Sequence, residues 1–254
     1  MPNFDNKRVL ITGGSGGIGT ETARQFLEEG AHVMLVDIDE KDLVATKKSL
    51  DSDRLFIHTA DVSKAEEVAA YVKKALAAMG GIDVFFNNAG IEGVVKPIVD
   101  YPEDEFHKVI HVNILGVWLG LKHVMRAMAD DGGSIIITSS VAGQSGTPNV
   151  SAYVTSKHAV VGMMKVAALE GAANNIRVNT VHPSPVDNRM MRSLEDGFSG
   201  GKGAEAKEQF EAQIPLKRYA QEADVANLVL FLAKDESSFL TGGQYSVDGG
   251  MSAM

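Results

Sequence analysis

The sequence contains no cysteine, and this absence excludes several classes of chemistry. Without thiols the chain has no disulfide, no thiolate nucleophile and no cysteine-ligated metal, which fits a reducing compartment. The seven histidines do not replace them, because none falls into a metal-binding spacing such as H-E-x-x-H. We therefore expect no catalytic metal.

Basic charge and long apolar runs are also scarce. The 24 lysines and arginines are outnumbered by 33 aspartates and glutamates, which gives a net charge of −9. Nucleic acids and anionic membrane surfaces require a basic face, so we expect neither as a partner. No apolar run has the length of a membrane-spanning helix, and the stretch before Val9 lacks the apolar core of a signal peptide. We expect a cytoplasmic protein.

The composition that remains is that of a globular domain, with 44% apolar and 22% charged residues. Short, almost continuously apolar strands alternate with amphipathic helical stretches. The predicted strands are Arg8–Thr12, His32–Val36, Leu55–Thr59, Val84–Phe86, Ser134–Thr138, Arg177–Val181 and Gln244–Val247. The predicted helices include Gly17–Glu29, Lys64–Met79, Glu103–Ala129, Ser151–Ala173 and Ala223–Ala233. This alternation predicts one α/β domain over residues 1–254, a Rossmann-type, doubly wound parallel sheet of about seven strands with helices on both faces.

Residues 184–215, here called the lid segment, break the alternation. No strand is predicted in it, and Asp196–Gly203 contains four glycines. Its apolar residues include Met190, Met191, Leu194 and Phe198. We expect a long irregular insertion that closes over an apolar ligand, with a disordered surface excursion as the alternative.

A glycine-rich turn directly follows the first strand. Residues 12–19 read T-G-G-S-G-G-I-G and fit both G-x-G-x-x-G and T-G-x-x-x-G-x-G. Glycines allow a tight turn that brings backbone N–H groups against a pyrophosphate at a helix N-terminus. Asp37, which ends the second strand, can accept hydrogen bonds from ribose hydroxyls and would repel a 2′-phosphate. Because Ile38 and not a basic residue follows Asp37, the sequence favours NAD over NADP.

Polar residues also end the next two strands. Asp61-Val62 follows the third strand, and Asn87–Gly90 reads N-N-A-G at the end of the fourth. Asparagine amides can line a cofactor cleft with donors and acceptors. Asp61 can equally cap the helix that begins near Lys64.

A second group of polar residues indicates proton-transfer chemistry. Tyr153 and Lys157 are four residues apart in a predicted helix and share one face, although such a pair alone is usually a surface pair. A free tyrosine has a pKa of about 10, and we expect the neighbouring ammonium to lower the pKa of Tyr153. Ser139 and Ser140 end the fifth strand, where a hydroxyl can bind a developing alkoxide. Asn113, within a predicted helix, requires a capping role or a polar partner.

Together these motifs resemble the short-chain dehydrogenase/reductase family over essentially the whole chain. The resemblance implies that Ser140 polarises the substrate oxygen and that Tyr153 shuttles the proton. It further implies that Lys157 holds the nicotinamide ribose and that Asn113 keeps a water of the proton relay. The residues assigned to NAD are Gly13, Ser15, Gly17, Ile18, Gly19, Asp37, Ile38, Asp61, Val62, Asn88, Ala89, Gly90, Tyr153, Lys157, Pro183, Val186 and Asn188.

The chain departs from the family after the sixth strand. Where P-G-x-V-x-T is common, residues 183–188 read P-S-P-V-D-N. Ser184 replaces the glycine, and Asn188 replaces a threonine that usually contacts the carboxamide. Because Asn188 can donate and accept hydrogen bonds, we expect nicotinamide binding to survive with an altered lid geometry.

The predicted function is NAD-dependent interconversion of a secondary alcohol and a ketone. The alternatives are an NADPH-dependent ketone or 3-oxoacyl-thioester reductase, which Asp37 disfavours, and a catalytically silent NAD-binding protein. The resemblance implies a homotetramer in which helices 103–129 and 151–173 pair across a subunit interface. We expect Trp118 to lie in packing or a subunit contact, and His182 to be structural or to face the substrate.

Overall fold

A seven-stranded, entirely parallel sheet forms the centre of the protein in a computed structural model that describes residues 4–254. The strands are β1 Arg8–Thr12, β2 His32–Asp37, β3 Leu55–Thr59, β4 Val84–Asn87, β5 Gly133–Thr138, β6 Ile176–Pro183 and β7 Gln244–Val247. Their order is β3-β2-β1-β4-β5-β6-β7. This order confirms the doubly wound sheet, and it places a crevice between β1 and β4, where the winding direction reverses.

Helices cover both faces of the sheet. They are α1 Gly17–Glu28, α2 Glu40–Leu50, α3 Ala65–Met79, α4 Glu103–Ile110, α5 Val117–Ala127, α6 Ser151–Gly171, α7 Arg189–Ser199, α8 Gly203–Gln213 and α9 Glu222–Ala233. Side chains alternate along a strand, so Leu10 packs into one apolar cluster with α3, α5 and α6. Val9 and Ile11 pack into the opposite cluster with α1 and α9. Burial on both faces explains the continuous apolar sequence of the strands.

The predicted helix Glu103–Ala129 is interrupted. A π-helical turn, His111–Gly116, separates α4 from α5. Such turns are often found at functional sites, and this one contains the buried side chain of Asn113. Trp118, just beyond the turn, is 46% exposed, so it is not buried in packing within the chain.

The lid segment is not irregular, and that expectation is wrong. It forms the helices α7 and α8. Asn188 caps the start of α7, because its side chain accepts a hydrogen bond from the Met191 N–H at 3.1 Å. Gly200, with φ of +64°, ends α7. Its apolar residues Met191, Leu194, Phe210 and Ile214 pack with Tyr219, which follows the segment, in a small third cluster. Within residues 4–254, no helix is both long and apolar enough to span a membrane.

Candidate active site

The glycine loop lies where β1 meets α1, at the reversal of the sheet. Gly13 has φ of +66°, and a Cβ on it would lie 3.0 Å from the Ala89 Cα. A Cβ on Gly19 would overlap the Gly13 carbonyl oxygen. Within residues 4–254 no side chain caps α1, so its first N–H groups, at Gly17, Ile18 and Gly19, remain available to a phosphate.

Asp37 is bound to this loop and not free in solvent. Its Oδ2 accepts hydrogen bonds from the Ser15 N–H at 3.0 Å and the Ser15 hydroxyl at 2.6 Å. Its Oδ1 accepts one from the Ile38 N–H at 2.8 Å. Over residues 4–254 no ion pair involves Asp37, so its negative charge is not offset. The loop therefore presents a fixed carboxylate whose remaining lone pairs can accept ribose hydroxyls.

Asn88 ties the ends of three strands together. Its Nδ2 donates to the Thr12 carbonyl at 3.2 Å and to the Gly13 carbonyl at 3.3 Å. Its Oδ1 accepts from the Thr138 hydroxyl at 2.9 Å. The Thr12 hydroxyl accepts from the backbone N–H groups of Asn88 and Ala89. Thr12, the first residue of the glycine motif, and Thr138, which the sequence analysis did not single out, thus help to set the floor of the crevice.

Other residues assigned to the cofactor lie around this crevice in less direct roles. The Asp61 carboxylate accepts from the Ser63 N–H at 2.9 Å, so it holds the turn before α3 and does not cap that helix. Val62 and Val186 are buried, 8% and 6% exposed, in opposite apolar clusters. Pro183 ends β6 in register with Val247. Their contacts to a cofactor stay predictions.

The helix α6 carries Tyr153 and Lys157 to the same edge of the sheet. The Lys157 Nζ lies 5.5 Å from the centre of the Tyr153 ring and donates to the Thr138 carbonyl at 2.8 Å. The Ser140 Oγ accepts from the Ala142 N–H at 3.1 Å, and its hydroxyl also hydrogen-bonds with Tyr153. A Cβ on Gly90 would lie 3.5 Å from the Lys157 Nζ, so the end of β4 borders the same site.

Asn113 has the polar partners that its helical position required. Its Oδ1 accepts from the Ile91 N–H at 2.8 Å, and its Nδ2 donates to the Ile91 carbonyl at 2.9 Å. The same Nδ2 donates to the Ser156 hydroxyl at 3.0 Å, which donates to the Tyr153 carbonyl at 2.7 Å. Asn113 therefore connects the β4 end to the catalytic helix, and one lone pair of its Oδ1 is left for a water.

Burial controls the protonation of the centre. It raises the pKa of Tyr153 to about 12, against the opposing effect of a hydrogen bond with Ser140. It lowers the pKa of Lys157 to about 8. The sequence predicted that the ammonium of Lys157 lowers the pKa of Tyr153. In the structure that ammonium is bonded to the Thr138 carbonyl, and desolvation of Tyr153 raises its pKa.

His182 and Ser139 bind the backbone carbonyls of two residues of this centre, Ser140 and Lys157. His182 is fully buried, and its Nδ1 donates to the Ser140 carbonyl at 2.8 Å while the Thr180 hydroxyl contacts its Nε2 at 2.9 Å. The Ser139 hydroxyl donates to the Lys157 carbonyl at 2.9 Å. His182 is therefore structural and does not face a substrate.

Comparison with known proteins agrees with this geometry. A family model described as Enoyl-(Acyl carrier protein) reductase matches residues 13–252. Levodione reductase of Leifsonia aquatica is 36% identical over 255 residues, covering 98% of this chain and 96% of the relative. Cyclohexanol dehydrogenase of Acinetobacter sp. (strain SE19) is 35% identical over 252 residues, covering 97% and 95%.

Solved structures show the same likeness. The crystal structure of levodione reductase superposes with a TM-score of 0.96 at 36% identity and covers 98% of this chain and 99% of its own. The crystal structure of NAD+-bound xylitol dehydrogenase superposes with a TM-score of 0.91 at 33% identity. The match covers 97% of this chain and 99% of that structure's chain. The chain belongs to the short-chain dehydrogenase/reductase family of oxidoreductases.

Proposed function

We propose that the protein transfers a hydride between a secondary alcohol and NAD, reversibly giving a ketone. The observation that carries the proposal is the convergence of Asn113, Ser140, Tyr153 and Lys157 beside the glycine loop, at one edge of the sheet. A bound nicotinamide would supply the hydride acceptor or donor at this edge.

The residues around the crevice fit a dinucleotide. The uncapped start of α1 suits a pyrophosphate, and a Cβ at Gly13 or Gly19 would fill its cradle. Asp37 suits the adenosine ribose, and the 67% exposed Ile38 offers an apolar surface beside it. An unpaired carboxylate here supports NAD over NADP.

The protein side chains manage the proton. Ser140, anchored through its Oγ by the Ala142 N–H, would donate its hydroxyl hydrogen to the substrate oxygen and fix its position. Tyr153 would give its phenolic proton to that oxygen in reduction and take it back in oxidation. Lys157, held by the Thr138 carbonyl, would place an ammonium beside the phenol and favour its phenolate.

The test is NAD reduction over a panel of secondary alcohols, run beside Tyr153→Phe and beside NADP. Cyclohexanol belongs in the panel, since a relative carries that activity in its name. We expect turnover with NAD, little with NADP, and its loss in Tyr153→Phe. A preference for NADP would favour the ketone or thioester reductase, and NAD binding without turnover of any alcohol would favour the silent binder. Turnover that survives in Tyr153→Phe would contradict the catalytic assignment.

Assembly into a homotetramer is part of the proposal. Helix α5 exposes Trp118, and α6 exposes Val166 and Leu169, at 46%, 55% and 80%. Apolar side chains left in solvent on neighbouring helices favour contact with the same surface of a second copy of the chain.

The lack of cysteine supports a reducing compartment, and we propose that the protein is located in the cytoplasm.

A further inference from the structure

Glu92 is a buried carboxylate that the reaction described above does not use. Only 8% of the residue is exposed, and it follows Ile91, whose backbone exchanges two hydrogen bonds with the side chain of Asn113. Two residues before it, a Cβ on Gly90 would stand 3.5 Å from the Lys157 Nζ. The main chain of Glu92 is thereby fixed at the border of the catalytic centre.

The surroundings of Glu92 do not satisfy its carboxylate. Its Oε1 lies 3.8 Å from the Nη1 of Arg189, which is too long for a hydrogen bond. Arg189 is 80% exposed, and an ion pair with a solvated arginine contributes little. Within residues 4–254 no group donates a hydrogen bond to Glu92. The carboxylate oxygens are not fully sealed from solvent, so a ligand hydroxyl can take the place of water as their hydrogen-bond donor.

Glu92 lies between the proton donor and the lid segment. Its charge acts on Tyr153, whose pKa it raises, so the carboxylate is within electrostatic reach of the reacting oxygen. Arg189 is the first residue of α7, so the opposite neighbour of Glu92 belongs to the lid segment. The side chain of Glu92 keeps 10% of its surface exposed, so its carboxylate is not closed to a ligand.

We propose that Glu92 determines specificity by accepting a hydrogen bond from a second hydroxyl of the substrate, away from the reacting carbon. The inference rests on the proposed function and names its substrate class as diols and hydroxyketones. A carboxylate only accepts hydrogen bonds, so it binds a hydroxyl, forms no hydrogen bond with a carbonyl and repels an anion. Because Arg189 offsets part of the charge, a neutral hydroxyl suits the position better than a cation.

The experiment compares cyclohexanol with cyclohexane-1,2-, 1,3- and 1,4-diol as substrates with NAD. The measured quantity is the ratio of kcat/KM for the best diol to that for cyclohexanol, in the unaltered enzyme, Glu92→Gln and Glu92→Met. Any effect of Glu92 on the ionisation of Tyr153 is common to both substrates and cancels in the ratio. Glu205→Met, which removes an exposed lid carboxylate that pairs with Lys202, is the matched control.

We expect the unaltered enzyme to prefer one diol by about tenfold or more, as a charge-assisted hydrogen bond allows. The preference should fall about tenfold in Glu92→Met and a few-fold in Glu92→Gln, whose amide oxygen still accepts. It should not change in Glu205→Met. If Glu92→Met does not fold, judged by circular dichroism, the isosteric Glu92→Gln decides alone.

The outcomes separate the two proposals. The role of Glu92 is overturned if the Glu92 variants show the same diol-to-cyclohexanol ratio as the unaltered enzyme. It is also overturned if the unaltered enzyme prefers no diol. Either result leaves the proposed function intact. Absence of NAD reduction with every secondary alcohol, by unaltered enzyme that binds NAD, overturns the proposed function and the inference together.

Discussion

At the scale of the residue, Lys157 shows how burial sets the properties of the centre. The residue is 4% exposed, and burial lowers its pKa to about 8. The one hydrogen bond of its ammonium in the described chain goes to the Thr138 carbonyl. Keeping a charge in this buried position lowers the free energy of unfolding. Ionisable groups with displaced pKa values are common at functional sites.

Lys157→Met should change how stability depends on pH. Since the pKa is about 8 in the folded state and about 10.4 unfolded, the unfolded state binds more protons between those pH values. Lys157 therefore weakens the fold below pH 8, and this penalty disappears as the pH rises to about 10.4. From pH 7 to pH 10.5 the unaltered protein should gain roughly 3 kcal/mol of unfolding free energy relative to Lys157→Met.

Urea denaturation of the cofactor-free protein at several pH values measures this difference. Lys165→Met, on the exposed face of the same helix, should keep the pH dependence of the unaltered protein. Parallel pH curves for Lys157→Met and the unaltered protein would show that burial does not displace the lysine pKa.

Ser156→Ala should impair catalysis because it disturbs the positions of Asn113 and Tyr153. Ser156 is fully buried and joins the Asn113 amide to the Tyr153 carbonyl, so its loss leaves one amide hydrogen unpaired. We expect about 1–3 kcal/mol of lost stability and a kcat reduced about tenfold, with KM for NAD little changed. Steady-state kinetics and urea denaturation measure both. The exposed neighbour offers the control Thr155→Ala; a kcat for Ser156→Ala equal to that of the control would contradict the positioning role.

At the scale of the element, an ionic cluster joins the two lid helices. Asp187 contacts Arg192 at 2.6 Å and Lys207 at 2.9 Å, and Arg192 contacts Glu195 at 3.0 Å. Glu195 is 1% exposed, so its carboxylate depends on Arg192 for compensation. The guanidinium also lies 5.7 Å from the ring of Tyr219. These contacts, with the cap at Asn188, keep α7 and α8 as one unit.

Arg192→Met should loosen this unit. The substitution leaves the buried Glu195 without its cation, which costs about 1–3 kcal/mol, discounted for the partial exposure of Arg192. The loss should appear as faster amide hydrogen exchange within α7 and α8, while the sheet keeps its protection. Lys202→Met, which breaks an exposed pair with Glu205, should leave exchange unchanged. Equal protection of the lid helices in both variants would show that Arg192 does not stabilise them.

At the scale of the whole molecule, the exposed apolar residues of α5 and α6 support the proposed homotetramer. Leu169, at 80% exposure, is the most exposed of the three. Leu169→Glu would place a charge in a symmetric contact, where it meets its own copy, and should lower the assembled mass.

Size-exclusion chromatography with light scattering measures that mass. Val44→Glu changes an apolar residue of α2 that is 52% exposed on another part of the surface, and it should keep the assembly of the unaltered protein. A Leu169→Glu protein of unchanged mass would place the subunit contacts elsewhere.

Elements whose signals are local could be predicted from the sequence. The strands β1, β3 and β7 occur as predicted, and the other four differ by one or two residues at their ends. Strand identity depends on short apolar runs, and the glycine loop depends on backbone freedom that the adjacent residues specify. The side chains proposed for catalysis could be named for the same reason, since Tyr153 and Lys157 share a helical face whatever surrounds them.

Features that depend on partners distant in sequence could be seen only in the folded chain. The π turn exists where Asn113 binds Ile91 and Ser156, the latter 43 residues away, and no local pattern encodes that pairing. The lid segment contains glycines that indicate a loop, yet it forms two helices that pack against Tyr219, which lies outside the segment. The raised pKa of Tyr153 and the position of Glu92, 8% exposed beside Arg189, likewise depend on the folded arrangement. Burial and long-range hydrogen bonds are properties of the folded arrangement, and composition and spacing do not determine them.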